Sequence, residues 1–155
     1  GLDSEGGTAL HIAARAGSKD AVTLLIAKGA ETDARDVNHQ TPLHWAARAG
    51  KAATATALLA KGADINAQGA GNTTPLHCAA AEGQKAIVEL LLAKKAEVNP
   101  INLNGETPLA LAKEQGQDAV AKMLLKKGGL EEVVPEEAPP SEETPVAEEV
   151  PANVG

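Results

Sequence analysis

Thr8, Thr41, Thr74 and Thr107 stand 33 residues apart, and so do Gly17, Gly50, Gly83 and Gly116. Leu25, Leu58, Leu91 and Leu124 keep the same interval. Three families of positions therefore hold one register through four periods without insertion or deletion. A period of this length restricts the chain to stacked supersecondary units, because one such unit cannot bury its own apolar face and needs neighbours to complete a core. The units run near residues 3–35, 36–68, 69–101 and 102–129.

Within each unit the residue order specifies two helices. Thr suits a helix N-cap, and Pro42, Pro75 and Pro108 follow at the first helical position, where a missing N–H costs nothing. A short apolar helix comes next. The Gly nine residues after the Thr then ends it in a left-handed cap. A second helix is marked by apolar residues at helical spacing, such as Ala21, Val22, Leu24 and Leu25, or Ile87, Val88, Leu90, Leu91 and Leu92. Gly29-Ala30 and Gly62-Ala63 close it, and polar Gly/Asn/Asp stretches run on to the next Thr as hairpin turns. The pattern predicts helix pairs at 8–15 with 19–27, 41–48 with 52–60, 74–81 with 85–94, and 107–114 with 118–127.

The apolar content is of the kind such a stack requires. Of 155 residues 32 are Ala, with one Trp and neither Phe nor Tyr. A core of Ala and Leu needs closely approaching backbones, and an aromatic platform for nucleic acid has nothing to build on. Charge is divided: residues 131–155 hold eight Glu and no Lys or Arg, so the first 130 residues carry 14 basic and 13 acidic side chains against the overall −7. With no dominant basic stripe, a nucleic-acid partner is not expected. Apolar runs last only a few residues, so neither a membrane span nor a signal peptide is expected. A chain opening on Gly1 is expected to have been cut or processed. The single Cys78 allows no intramolecular disulfide, which with the lack of a targeting segment points to a reducing, cytoplasmic location; a monomer is expected. Residues 130–155, with Glu-Glu-x-Pro recurring every six residues, read as an extended, disordered acidic tail.

The motif itself reads Thr8-Ala9-Leu10-His11, Thr41-Pro42-Leu43-His44, Thr74-Pro75-Leu76-His77 and Thr107-Pro108-Leu109-Ala110. In period and motif the sequence resembles the ankyrin-repeat family over residues 3–129. That resemblance implies an all-α repeat solenoid with short β-hairpin tips, a stack of four helix pairs. It implies that each motif imidazole hydrogen-bonds the neighbouring hairpin backbone. It also implies a protein or peptide partner held on a concave strip of hairpin tips and inner helices. Here that strip maps to Glu5, Val37, Asn38, Gln40, Ala70, Thr73, Leu103 and Asn104, with Arg15, Trp45, Arg48 and Glu82 from the inner helices. Asn66 with Leu58, and Asn99 with Leu91, match the spacing of asparagine-hydroxylation substrates in that family.

Several residues suggest other chemistry. A zinc ion needs nitrogens about 2.0–2.1 Å away, whereas residues in register on stacked helices lie about 8–10 Å apart, so His11, His44 and His77 cannot share a metal. Cys78 next to His77 imitates a nucleophile and base, but helix neighbours point about 100° apart, and Cys78 fills the apolar slot of Ile12, Trp45 and Leu111. Asn72-Thr73-Thr74 fits a glycosylation sequon by residue type alone. The slot two residues before each motif Thr holds Gly6, His39, Asn72 and Gly105, the residues that tolerate positive φ. Without a phosphate loop, paired carboxylates or a nucleophile set, neither an enzyme nor a cofactor is expected.

Trp45 is expected to be partly buried between inner helices. Arg15 and Arg48 are in register and are expected to lie side by side as unpaired cations, a place for an acidic group of the partner. Polar Lys122, Lys126 and Lys127 make the last repeat a cap, whereas the first repeat shows no comparable polar face. A structural spacer, part of a longer repeat array, and the targeting domain of a larger enzyme are the alternatives to an interaction module.

Overall fold

The computed structural model describes residues 6–131. Eight α-helices follow in pairs: α1 (Ala9–Ala16) with α2 (Lys19–Ala27), α3 (Pro42–Ala49) with α4 (Ala52–Ala60), α5 (Pro75–Glu82) with α6 (Lys85–Ala93), and α7 (Pro108–Glu114) with α8 (Asp118–Lys126). Each predicted helix is present, with its ends within one residue or so. The odd-numbered helices stack on one another as an inner layer and the even-numbered ones as an outer layer, each pair also packing internally. Inner helices meet through small side chains: Ala14, Ala46, Ala47, Ala79, Ala80 and Ala112 are fully buried, framed by Leu10, Leu43, Leu76 and Leu109. No helix among the described residues is long and apolar enough to cross a membrane.

Local chemistry sets the helix ends. Thr8, Thr41 and Thr74 adopt extended backbone, and each Oγ1 accepts the N–H of the His three residues on, while that imidazole accepts the Thr backbone N–H in return. Two orphan donors are satisfied by one Thr–His pair. Gly17, Gly50 and Gly83 close α1, α3 and α5 at φ 70° to 77°, a conformation that would cost a residue with a Cβ about 1–2 kcal/mol. The hairpin slots behave as the sequence suggests, with His39 at φ 61° and Asn72 at φ 59°. Lys95, at φ 70°, takes the place that Gly29, Gly62 and Gly128 hold in the other repeats.

No β-strand is present among the described residues, yet the tips are hairpin-like and joined to each other. Asp36 N–H donates to the Gln40 carbonyl and Gly69 N–H to Thr73, and Ala70 N–H and Leu103 N–H reach the Asn38 and Gly71 carbonyls of the preceding tips. A second ladder runs along the outer loops. Side-chain oxygens of Asp33, Asn66 and Asn99 accept the N–H of Asp64, Glu97 and Leu130, each 31 residues later. The repeat register thus persists to Leu130. The far end is closed by polar contacts: the Thr107 hydroxyl donates to the Leu130 carbonyl, and Lys113 pairs with Glu131 at 2.5 Å. The expected acidic tail lies, beyond Glu131, outside the described residues.

Candidate functional site

The motif histidines are structural joints. His11, His44 and His77 each donate through Nε2–H to a carbonyl 29 residues later, on Gln40 (2.7 Å), Thr73 (2.7 Å) and Glu106 (2.8 Å). Because Nδ1 accepts the Thr N–H at 3.1 Å, the proton sits on Nε2 and the imidazole is neutral. Burial holds His44 down to about 4, with the Arg35 and Arg48 charges acting in the same direction and the Thr73 hydrogen bond opposing. Burial also lowers His77, against the pull of its bond to Glu106. Among the described residues no group of three His, Cys, Asp or Glu side chains could hold a metal ion. Cys78 is buried, and burial pushes its thiol up, so it is a packing residue and a poor nucleophile.

Five of the residues assigned to the binding strip from sequence converge. Arg15, Asn38, Gln40, Trp45 and Arg48, joined by Asp36 and Ala49, line a pocket of about 260 Å³ between the first two inner helices and the second hairpin tip. Its floor is Trp45, only 5% exposed, whose indole N–H donates to Asp36 Oδ2 at 2.7 Å. Packing of the indole edge-to-face with the His11 ring, 5.0 Å between centroids, fixes the other side. The Arg15 guanidinium lies over the indole face, 4.8 Å from its centroid, a cation–π contact. Arg48 donates to Gln40 Oε1 (3.0 Å) and to Cys78 Sγ (3.5 Å).

This arrangement corrects the expectation for the two arginines. They are not a pair of unpartnered cations in mutual repulsion. Each leans onto the residue in the shared apolar slot of the following repeat, Arg15 onto Trp45 and Arg48 onto Cys78. Their geometry is therefore set by packing before any partner arrives.

Asp36 was missed from sequence. Its role was legible in principle, because Asp at the head of a tight turn bonds to backbone N–H groups further along it. Asp36 Oδ1 accepts from Asn38 N–H (2.8 Å) and Gln40 N–H (2.9 Å). Burial pushes the carboxyl up, but the Gln40 N–H, the Trp45 indole and the Asn38 N–H outweigh it and hold the group below 3.8. Asn102 repeats the turn in the fourth repeat, accepting from Asn104 and Glu106. Gly69 occupies that slot in the third and cannot.

The remaining strip residues do not enter the pocket. Val37 and Leu103 are 67% and 74% exposed at their hairpin tips, in register with exposed Ala70. Thr73 is half-buried, and Asn104 and Glu82 are exposed away from Trp45. Glu5 lies outside the described residues. Arg35, not assigned to the strip, ties two tips together by donating to the His39 and Gln68 carbonyls at 2.7 and 2.6 Å.

The family model described as ankyrin repeats (3 copies) matches residues 1–69 and again residues 67–133. No curated protein matches the chain.

Proposed function

Because the chain belongs to the ankyrin-repeat family, whose repeats are generally protein–protein interaction modules and typically non-catalytic, we propose that it holds a protein or peptide along the inner-helix and hairpin strip, with a partner carboxylate seated between Arg15 and Arg48. The observation that carries this reading is the pocket over Trp45. Arg15 stacks over its indole floor and Arg48 lines it alongside, while the lining Asp36 carboxylate accepts from Trp45, Asn38 and Gln40. Arg48 spends two of its five N–H donors on Gln40 and Cys78, and its planar fork suits a carboxylate. Anchors of this kind, a large aromatic and an Arg held in a fixed geometry, are where interfaces concentrate their affinity. Exposed Val37, Ala70 and Leu103 along the tips add apolar contact beside it.

Trp45 is the only Trp in a chain without Tyr, so intrinsic fluorescence reports on the pocket alone. Titrating pooled peptides that carry Asp or Glu in apolar flanks is expected to change Trp45 emission, and the Asn/Gln versions of the same peptides should not. Replacing both arginines by Lys keeps the charge and removes the fork. The double variant is expected to bind at least about tenfold more weakly, one charge-assisted hydrogen bond being worth about 1.5–3 kcal/mol. Equal binding of the acid and amide peptides, or of the Lys variant, would place the contact elsewhere.

A further inference from the structure

Outer helices α6 and α8 leave a groove between them. Lys85, at the start of α6, meets Ala119, Lys122, Met123 and Lys126 of α8 around a cavity of about 300 Å³. The four α8 residues form one stripe, at intervals of three and four. Met123 is half-buried and gives the groove an apolar wall, while the three lysines are exposed. No carboxylate lines it. Among the described residues the ion pair is Lys113 with Glu131, and none of these three ammonium groups makes one. The lysines of α8 are departures from the repeat. Lys126 stands where the other outer helices have Ala27, Ala60 and Ala93, and Lys122 where they have Thr23, Thr56 and Glu89. A terminal cap needs its charge on the side turned away from α6, whereas these two line the side turned toward it. Like charges gathered around one groove draw anions to it.

We infer that the groove between α6 and α8 is the docking site of the chain's own acidic segment, residues 132–143, whose Glu-Glu pairs at 136–137 and 142–143 meet Lys85, Lys122 and Lys126. Charge complementarity is the first argument: residues 131–155 hold eight Glu and no Lys or Arg, and the groove holds three cations and no anion. The second is the point of departure. Glu131 is already paired with Lys113 on α7, the helix that packs against α8. Crossing from there over α8 to the groove takes about two helix spacings, roughly 20 Å. At about 3.1 Å per residue, Glu136 lies within about 15 Å of Glu131 along the chain and Glu143 within about 37 Å, so the path falls between the two pairs. Tethering puts the segment at an effective concentration near millimolar. The inner side offers no such route, because Glu82 and Glu114 end α5 and α7 there, exposed, between Glu131 and the Trp45 pocket. The inference does not depend on that pocket or on any partner held there.

Met123 is the single Met of the chain and Trp45 the single Trp. An isotope-labelled methionine methyl and an indole N–H therefore each give one NMR signal, the first from the groove and the second from the pocket. The test compares the full chain with a full-length variant carrying Glu136→Gln, Glu137→Gln, Glu142→Gln and Glu143→Gln. Both are measured in about 0.01 M and about 1 M salt, where charges act over about 30 Å and about 3 Å. Docking predicts that the Met123 methyl shift differs between the two chains at low salt, that the difference vanishes at high salt, and that Trp45 does not move. With Lys122→Gln and Lys126→Gln added to both chains the low-salt difference should be lost, and the fold should remain because both lysines are exposed. A Met123 signal indifferent to the four Glu→Gln changes would overturn the inference. So would a shift of Trp45 in its place, which would put the acidic segment in the pocket. A Met123 difference that fades on dilution would overturn it as well, because the groove would then hold the segment of a second copy.

Discussion

Thr54 is fully buried in α4, and its hydroxyl finds no hydrogen-bond partner among the described residues. The equivalent positions are Ala21, Ile87 and Val120, so the site is an apolar slot occupied by an isostere of Val. A buried hydroxyl without a partner costs about 1–3 kcal/mol in lost hydration. Thr54→Val removes that cost and puts a methyl in the same space. Thr and Val have similar helix propensities, so the backbone term nearly cancels. We expect a gain of about 1–2 kcal/mol. Unfolding a body of this size carries an entropy of roughly 0.26 kcal/mol/K, at about 2.1 cal/mol/K per residue, so the gain corresponds to a Tm higher by about 4–8 °C. Urea unfolding followed by circular dichroism should show the midpoint rising with the slope m unchanged. Thr54→Ser is the companion: it keeps the orphan hydroxyl, deletes the methyl and should lose about 1 kcal/mol. If Thr54→Val is no more stable than the natural chain, the hydroxyl is satisfied in solution and the reasoning fails. The same helix carries Ala55 and Ala57 where α6 has Val88 and Leu90, and neither helix has a side-chain cap at its start, so the difference between them lies in the smaller buried side chains of α4. Amides of 52–60 should therefore exchange faster than those of 85–94, and Thr54→Val should narrow the difference.

Two further outcomes follow from backbone strain and from burial. Lys95→Gly should stabilise by roughly 0.5–1 kcal/mol, because relief of a left-handed conformation worth about 1–2 kcal/mol exceeds the added freedom of the unfolded Gly, whereas Lys95→Ala should gain nothing in thermal melts. Acidification should destabilise from about pH 6.5 downward. His44 falls from 6.5 to about 4 on folding, so its contribution is complete above 6.5 and is lost as pH falls toward 4. That fall amounts to about 3 kcal/mol in total and about 2 kcal/mol by pH 5, with His77 acting in the same direction. Asp36, held below 3.8, adds its own loss only at lower pH. Urea midpoints at pH 7 and pH 5 check this. Equal midpoints would mean that the imidazole is not buried as described, and His44→Gln should reduce the dependence to the share that His77 carries.

The periodic features of this fold were legible because they are local or repeated. A Thr N-cap, a Pro behind it, a Gly nine residues on and a fixed interval each act within one turn of chain, and four copies in register leave no other architecture. What the sequence did not yield depends on which neighbour fills a slot. Arg15 and Arg48 look identical in register, and from residue type alone their charges should repel. Their actual environments are set one repeat away, by Trp45 under one and by Cys78 and Gln40 beside the other. Asp36 illustrates the same limit. As a turn former it could be read from its own hairpin, but its grip on the Trp45 indole nine residues later turns that turn into a wall of the pocket. The pocket thus arises where the repeat departs from itself. Only the second repeat joins an acidic turn residue to a large aromatic in the shared slot; Gly69 with Cys78, and Asn102 with Leu111, supply neither the carboxylate nor the ring. A binding residue in such a stack is therefore recognised less by its type than by its difference from the residues 33 positions away on either side.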